Sequence, residues 1–298
     1  MEIPFIKFKK IFYIIFLTLV IVSLFMIFRF GFNLGIDFLG GSIIELSFEN
    51  RPTNQQIKEK LTNLELGELI IQPRGDTEVV IKTKEIDSEV HSKIIVQLKE
   101  LSSVKEISFE SIGPVIGKEI RDKTIILVIV ALITILLYIS IAFIKVQRPL
   151  SSWQYAIISI VAMVFDILIT LGALSFLGKQ YGVQFNIPII TALLTVIGYT
   201  INDKVIIFDR VRENLIKLTR DEFDEIVNKS INETMMRSMS TGISTLLVLF
   251  AIFFFGGETL KYFSLVLIIG IIIGTFSSIF LAAPLLTTWY KWGVKKAA

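Results

Sequence analysis

Six long apolar segments constrain this chain more than any other feature of its sequence. A helix rises about 1.5 Å per residue, so roughly 20 apolar residues cross the hydrocarbon core of a bilayer, which is about 30 Å thick. The predicted spans are 11–28 and about 124–144, 155–177, 185–208, 239–255 and 262–290. A hydrophobic content of 53% and a mean hydropathy of +0.70 are too high for a soluble globular domain. The sequence therefore predicts a polytopic α-helical membrane protein.

The first apolar segment is either a secretory signal core or a permanent membrane helix. Lys7, Lys9 and Lys10 precede it, as basic residues would in both cases. The run is longer than the usual signal core of about 7–15 residues. No small-residue cleavage pattern follows it at 29–35. We therefore expect a helix that remains in the membrane.

The inventory of reactive side chains excludes several classes of function. The chain has no cysteine and one histidine, His91, so we expect no disulfide framework, iron–sulfur cluster or zinc site. The net charge of +3 is modest and basic residues lie mostly at segment ends, so we expect no nucleic-acid binding. Without a nucleophile triad or a nucleotide-binding loop, the chain is expected to be neither a hydrolase nor a transferase. No cofactor is expected.

The segment 31–121 is polar and predicts a folded domain outside the membrane. Strands are predicted at 42–48, 68–72, 77–82 and 104–110. Helices are predicted after Thr53, where Gln56 completes a capping box, and over 88–101. The order βαββαβ predicts a small α+β ferredoxin-like domain. It would separate an N-terminal region, 1–30, from a five-helix membrane region, 122–298, and we interpret His91 on its second helix as a solvated surface residue.

The basic residues near the segment ends predict the orientation in the membrane. With both termini in the cytoplasm, only Lys179 and Lys261 fall in the short outer loops. The inner side then holds Lys7, Lys9, Lys10, Lys145, Arg148, Arg210, Arg212, Lys217, Arg220, Lys291, Lys295 and Lys296. The positive-inside rule thus predicts cytoplasmic termini and an extracytoplasmic 31–121 domain.

A charged linker and a small-residue stripe complete the membrane region. The linker 209–237 is typical of an amphipathic surface helix with Phe223, Ile226 and Val227 on one side. In the last span, Gly270, Gly274 and Ser278 recur every four residues, which predicts close packing against another helix. Pro284 predicts a kink in the same span.

Asp203 lies inside the fourth apolar segment, between Asn202 and Lys204. An acid there costs on the order of 3 kcal/mol to insert into a bilayer. A structural salt bridge would tolerate that cost, but ionisable residues in membrane spans often mark transport paths. On a helix, Asp203 shares a face with Tyr199 and Thr200. This polar stripe favours a hydrated path over a purely structural role.

Two further charged residues lie in neighbouring spans. Asp166 is in the middle of the third span, where desolvation disfavours an ionised carboxylate, so an unpaired Asp166 could take up and release protons. Arg237 begins a stripe of hydroxyl residues in the fifth span that includes Thr241. Such hydroxyls can simply bond their own backbone. Together with Asp203, they favour a proton pathway in which Arg237 stabilises the ionised acid.

Motifs rich in glycine and charged residues recur at the segment boundaries. They read Gly-Ile-Asp-Phe-Leu-Gly-Gly at 35–41, Ser-Ile-Gly-Pro-Val-Ile-Gly-Lys-Glu at 111–119, Ile-Gly-Tyr-Thr-Ile-Asn-Asp at 197–203 and Phe-Asp-Arg-Val-Arg-Glu at 208–213, with more at 237–241, 255–258 and 274–280. In this order, with six spans and one outer domain, they resemble the SecF family of bacterial protein-export subunits, which is related to the resistance-nodulation-division transporters. The resemblance covers almost the whole chain.

The resemblance implies a subunit of the bacterial inner membrane that pairs with SecD, docks on the SecYEG channel and uses the proton gradient to help export preproteins. Other accessory membrane-insertion factors are further candidate partners. It also implies that Asp203 and Arg237 match the proton-pathway acid and arginine of the family. The full set of pathway candidates is Asp203, Arg237, Asn202, Thr200, Tyr199, Thr241 and Asp166. The motif residues expected to be structural are Gly35, Asp37, Gly40, Gly41, Gly113, Pro114, Gly117, Gly256 and Gly257.

Two positions depart from the pattern of the family. Lys204 stands where a small residue such as serine or threonine is typical, and Phe165 replaces a histidine before Asp166. Lys204 either pairs with Asp203 and keeps it ionised or extends its ammonium to the cytoplasmic face. We expect the second arrangement, because successive helical residues point about 100° apart.

Two other functions remain open from the sequence. One is half of a small-molecule or lipid exporter of the resistance-nodulation-division type, although such pumps commonly have twelve helices and two large outer domains. The other is a scaffold that holds export factors together, with Asp203 and Arg237 as a structural ion pair. Replacing Asp203 with asparagine distinguishes a motor from a scaffold.

Overall fold

A computed structural model describes residues 2–67, 69–142, 150–217 and 222–297. Its helices and strands follow in chain order as α1 (Lys9–Phe30), α2 (Ile36–Leu39), β1 (Gly41–Phe48), α3 (Asn54–Leu61), β2 (Ile70–Arg74), β3 (Glu78–Thr83), α4 (Ser88–Lys99), β4 (Val104–Ile112), α5 (Pro114–Ala142), α6 (Ser152–Tyr181), α7 (Ile187–Lys217), α8 (Phe223–Phe255), α9 (Glu258–Ser277) and α10 (Ala283–Ala297). A π-helix, Ser278–Ala282, joins α9 to α10.

The chain forms two compact units. One comprises Met1–Asn33 with Val128–Ala298, and the other comprises Leu34–Leu127. Within the described residues, six helices are long and apolar enough to cross a membrane. The predicted fold class, six membrane helices with one small α+β domain, is confirmed.

The α+β unit has the predicted element order. Its antiparallel sheet has the strand order β2-β3-β1-β4, which is the arrangement of a split βαβ fold. One sheet face packs with α3 and α4 around a core that includes Ile44, Leu46, Ile57 and Ile94, all fully buried. The capping box at Thr53 is present, because its hydroxyl accepts the Gln56 amide hydrogen at the start of α3.

His91 is not the solvated residue that the sequence suggested. Its ring stacks on Phe109 of β4 with centroids 4.0 Å apart, and its side chain is 17% exposed. Its Nε2 atom lies 3.2 Å from Glu106 Oε2. The prediction failed because the covering residues lie on the next element, β4, and helical spacing within α4 does not show that contact.

The glycine motifs of this unit bring α2, β1 and the start of α5 into close contact. Gly40 has a φ of +76°, which disfavours residues with a side chain. A Cβ atom on Gly40 would lie 2.7 Å from Pro114 Cα, and one on Gly117 would lie 3.0 Å from the Gly40 nitrogen. Gly35 is the N-cap of α2, with Asp37 in its first turn, and a Cβ atom on Gly113 would lie 3.0 Å from Glu85 Oε1. Gly41 begins β1.

In the membrane unit, small residues let the helices pack closely. Cβ atoms on Gly270 and Gly274 of α9 would collide with Val196 and Thr200 of α7. The predicted small-residue stripe therefore packs against α7. The last span changes helical form before Pro284, since the π-helix ends at Ala282. A π-helical turn and a proline are both established causes of helix kinks.

The linker between the fourth and fifth spans differs from its prediction. Instead of one surface helix over 209–237, α7 continues to Lys217 and α8 begins at Phe223. Phe223, Ile226 and Val227 are buried, so the predicted apolar side faces the protein rather than a membrane surface. The predicted inner charges Lys145, Arg148 and Arg220 lie outside the described residues, as do the side chains of Lys295 and Lys296.

Candidate functional site

Asp203 lies in the interior of the membrane unit, with 1% of its surface exposed. Thr275 of α9 donates a hydrogen bond to Asp203 Oδ2 at 3.2 Å. The buried Ser238 hydroxyl of α8 faces the same carboxyl, although it forms no hydrogen bond that meets strict geometry with the described residues. The close packing of Gly274 against Thr200 brings Thr275 within reach. Asp203 is therefore held by hydroxyl groups from two other helices.

Lys204 pairs with Asp166, and neither arrangement expected from the sequence is correct. Lys204 Nζ lies 2.7 Å from Asp166 Oδ2, and both side chains are fully buried. The ammonium also donates to the Thr200 carbonyl oxygen at 3.3 Å. Lys204 therefore does not extend to the cytoplasmic face, and it does not form an ion pair with Asp203. Asp166 is therefore paired, so the condition under which it could take up and release protons, an unpaired carboxyl, is not met.

Two hydroxyl groups lie beside the Asp166 carboxyl. Thr200 and Ser277 lie beside this carboxyl, but each donates to a backbone carbonyl of its own helix. Within the described residues, Asp166 Oδ1 is buried without a hydrogen-bond partner that meets strict geometry. The ammonium of Lys204 is thus the main stabilising contact of this carboxylate.

Asp166, Asp203 and Lys204 form a buried cluster of two acids and one base, in which the base pairs with Asp166. With both acids ionised, the cluster carries one net negative charge. One bound proton makes it neutral. An uncompensated charge is costly away from water. Such a cluster therefore favours the uptake of one proton when it is shielded from water.

Three of the predicted pathway residues lie away from this cluster. Asn202 of α7 is exposed, and so are Arg237 and Thr241 of α8. Thr241 donates to the Arg237 carbonyl oxygen at 2.9 Å, so its hydroxyl bonds its own helix. Arg237 forms no ion pair with any residue that the structure describes. Tyr199 is half-buried, near the point where Gly242 of α8 approaches α7.

The remaining motif glycines, Gly256 and Gly257, connect two membrane helices. Gly256 caps α8 and donates to the Ile252 carbonyl oxygen at 2.7 Å, while Gly257 is the N-cap of α9. They allow a direct turn between the two spans. The described residues contain no group of histidine, aspartate and glutamate side chains that could hold a metal ion.

Sequence reasoning missed the partners of the two acids. Thr275 and Ser277 lie in the motif at 274–280, but nothing in their spacing identifies the carboxyl that each approaches. The pairing of Lys204 did leave a signal, because two opposite charges in separate apolar spans each require a partner. Adjacency in sequence pointed to Asp203 instead.

Comparison with known proteins decides the family. The family model for the C-terminal region of the protein-export membrane proteins SecD and SecF matches residues 93–292, and the SecD/SecF GG-motif model matches 25–50. The chain belongs to the SecD/SecF family of protein-export membrane proteins. The second match covers the glycine motif at 35–41 that was found in the sequence.

Curated relatives in this family are named protein translocase subunit SecF. The one from Thermobaculum terrenum is 36% identical, with 95% of this chain and 93% of the relative covered. The one from Calditerrivibrio nitroreducens is 38% identical over the same shares. These relatives are named as translocase subunits rather than as hydrolases or transferases.

The membrane fold is also that of solved SecDF structures. SecDF of Thermus thermophilus, described as a translocon-associated membrane protein, matches 98% of this chain with a TM-score of 0.85 and 31% identity. A super-membrane-facing form of SecDF matches with a TM-score of 0.72 and 30% identity. This chain spans 39% and 40% of those SecDF chains, respectively. Six apolar helices in a SecF-like chain make this a multi-pass inner-membrane protein with an accessory role in Sec translocation.

Proposed function

We propose that this chain is one half of a proton-driven motor that assists protein secretion. In this proposal it pairs with a SecD subunit and acts at the SecYEG channel, where it uses the proton gradient to help draw preproteins across the membrane. Both termini lie in the cytoplasm and the α+β domain lies on the far side. Asp203 carries the proton.

The observation that supports this proposal most strongly is the environment of Asp203. Its carboxyl group is buried, but its partners are hydroxyl groups rather than a base. The nearby ammonium of Lys204 is engaged by Asp166. A carboxyl that lacks a dedicated counter-ion can be neutral when shielded and ionised when water reaches it. That alternation is what a proton carrier requires.

Exposed polar residues on the membrane helices support the presence of a partner subunit in the membrane. Asn202 and Arg237 lie on the surface of this chain, within spans that would otherwise face lipid. An arginine facing hydrocarbon costs several kcal/mol, at least about 2.5 on translocon-based scales. A partner subunit that covers this surface removes that cost, and the SecD half of the SecDF proteins is the natural occupant. Arg237 then approaches Asp203 within the complete complex and favours release of its proton.

Gradient-dependent preprotein export in inverted membrane vesicles tests the proposal. Asp203→Asn keeps the size of the side chain but cannot ionise, so we expect it to abolish the gradient-dependent part of export at equal amounts of assembled complex. Arg237→Ala should do the same. Asp122→Asn is the matched control, because Asp122 is exposed and forms only a 3.4 Å contact with Arg121.

The outcomes separate a motor from a scaffold. If Asp203→Asn assembles normally and exports with an undiminished gradient response, the proton-carrier role is wrong. If the variant instead fails to assemble, the acid is structural and the scaffold function is favoured.

A further inference from the structure

The Lys204–Asp166 ion pair has no role in the proton pathway proposed above, although it is the most deeply buried ion pair among the described residues. Both side chains have 0% exposure, whereas every other described ion pair includes a partly exposed side chain. Removing two charges from water is expensive, and their attraction repays this cost only when the geometry is good. The presence of such a costly ion pair therefore indicates a role for it.

We infer that Lys204 is a positioning residue that keeps Asp166 ionised, so that Asp203 is the only carboxyl of this cluster that exchanges protons. This inference rests on the proposed function and deepens it. It assigns one exchangeable proton to this half of the complex.

Geometry supports the division of roles between the two acids. The ammonium contacts Asp166 at 2.7 Å, and the carbonyl of Thr200 orients it from one helical turn away. Asp203, the preceding residue of α7, lies beside Thr275 and Ser238 instead. These two adjacent residues of α7 thus contact different helices. Lys204 contacts α6, and Asp203 contacts α8 and α9. Asp166 is locked by its counter-ion, and Asp203 is not.

Few other charged groups surround the cluster. On α7, Tyr199 is the nearest titratable neighbour of Asp203 besides Lys204. On α6, the titratable group of the cluster is Asp166 itself. On α9, the neighbouring groups are the hydroxyls of Thr275 and Ser277. On α8, Ser238 faces inward, while the neighbouring Arg237 is exposed. Within the described residues, Lys204 is therefore the base positioned to fix the charge state of Asp166.

Charge balance predicts opposite results for single and double substitutions. Asp166→Asn leaves the Lys204 ammonium without its partner, close to Asp203, and should hold Asp203 ionised. We expect this variant to lose gradient-dependent export. Asp166→Asn combined with Lys204→Met removes the pair without changing the net charge, so export should return. Glu89→Gln with Lys93→Met, which removes an exposed ion pair on α4, is the control double variant.

Infrared spectroscopy of the complete complex in liposomes reads the charge states directly, since only a protonated carboxyl gives a carboxylic-acid C=O stretching band. Asp203→Asn should remove one such band from the wild-type spectrum. The double variant should retain that band. Lys204→Met alone should add a second band, because Asp166 loses its counter-ion and becomes protonated. A purely structural pair would instead leave the gradient-dependent export of the assembled Asp166→Asn variant unchanged.

The results separate this inference from the proposed function. If Lys204→Met adds no band, Lys204 does not keep Asp166 ionised and the inference is overturned. Failure of the assembled double variant to export would also overturn it. Undiminished export by Asp203→Asn would instead refute the proposed function, while the bands of Lys204→Met would still report the state of Asp166.

Discussion

Lys204 Nζ and Asp166 Oδ2 lie 2.7 Å apart in the interior of the membrane unit, at a sequence separation of 38 residues. This contact fixes α6 against α7 and leaves the neighbouring Asp203 without a base of its own. The two acids of the membrane spans therefore have different environments. One is paired with an ammonium, and the other is held by hydroxyl groups.

The contact between Gly274 and Thr200 positions the hydrogen bond from Thr275 to Asp203. Gly274→Leu should push α9 away from α7, because even a Cβ atom would collide with Thr200. Overpacking of this kind typically costs about 1–3 kcal/mol. We expect a lower thermal unfolding midpoint of the complex in detergent and a loss of gradient-dependent export.

Gly293→Ala is the control for this prediction, since a Cβ atom there meets nothing within 4 Å. Equal unfolding midpoints for Gly274→Leu and the control would show that the α7–α9 contact is less tight than described.

The α+β unit should become more stable as the pH falls, through Glu110 of β4. Burial, together with the nearby Asp37 and Glu45 carboxylates, raises the pKa of Glu110 above its ordinary value. The folded unit therefore binds this proton at a higher pH than the unfolded chain does, so stability rises as the pH falls through that window.

Glu110→Gln should thus protect β1 amides from hydrogen exchange at neutral pH. The gain should vanish below a pH of about 4, where a glutamate is protonated in both states. Glu49→Gln, at an exposed position after β1, is the control. A gain that persists in acid would point to packing rather than to charge.

Asn232 of α8 holds the N-terminal segment against one end of the bundle. Its side chain accepts a hydrogen bond from the Ile3 amide at 2.8 Å and donates one to the Ile3 carbonyl at 3.0 Å. Asn232→Ala removes both, at a cost of about 1 kcal/mol each. We expect faster hydrogen exchange at Ile3 and easier proteolysis near the N-terminus, with α9 amides unchanged. An unchanged exchange rate at Ile3 would mean that other contacts, such as the burial of Phe5 and the Ile6–Asn228 hydrogen bond, anchor the segment.

Most of the fold could be predicted from local sequence patterns. The apolar runs, the capping box at Thr53 and the alternation of helices and strands all depend on neighbours in sequence, so they could be predicted. The boundaries of α8 could not, because the burial of Phe223 and Val227 depends on helices that are distant in the chain.

The site could be predicted only in part. The position of Asp203 in an apolar helix made it a candidate, whereas the partner of Lys204 lies on another helix and depends on how α6 and α7 pack. The same limit explains His91, whose stacking partner Phe109 belongs to a different element. Which charges meet is set by tertiary packing, which residue spacing alone does not specify.

Proton entry into proteoliposomes that contain the complete complex and a trapped pH-sensitive dye is the most direct test of the central claim. The account predicts that wild type and Asp122→Asn admit protons under an imposed gradient and that Asp203→Asn does not. Proton entry through Asp203→Asn at the wild-type rate would contradict the assignment of Asp203 as the proton carrier.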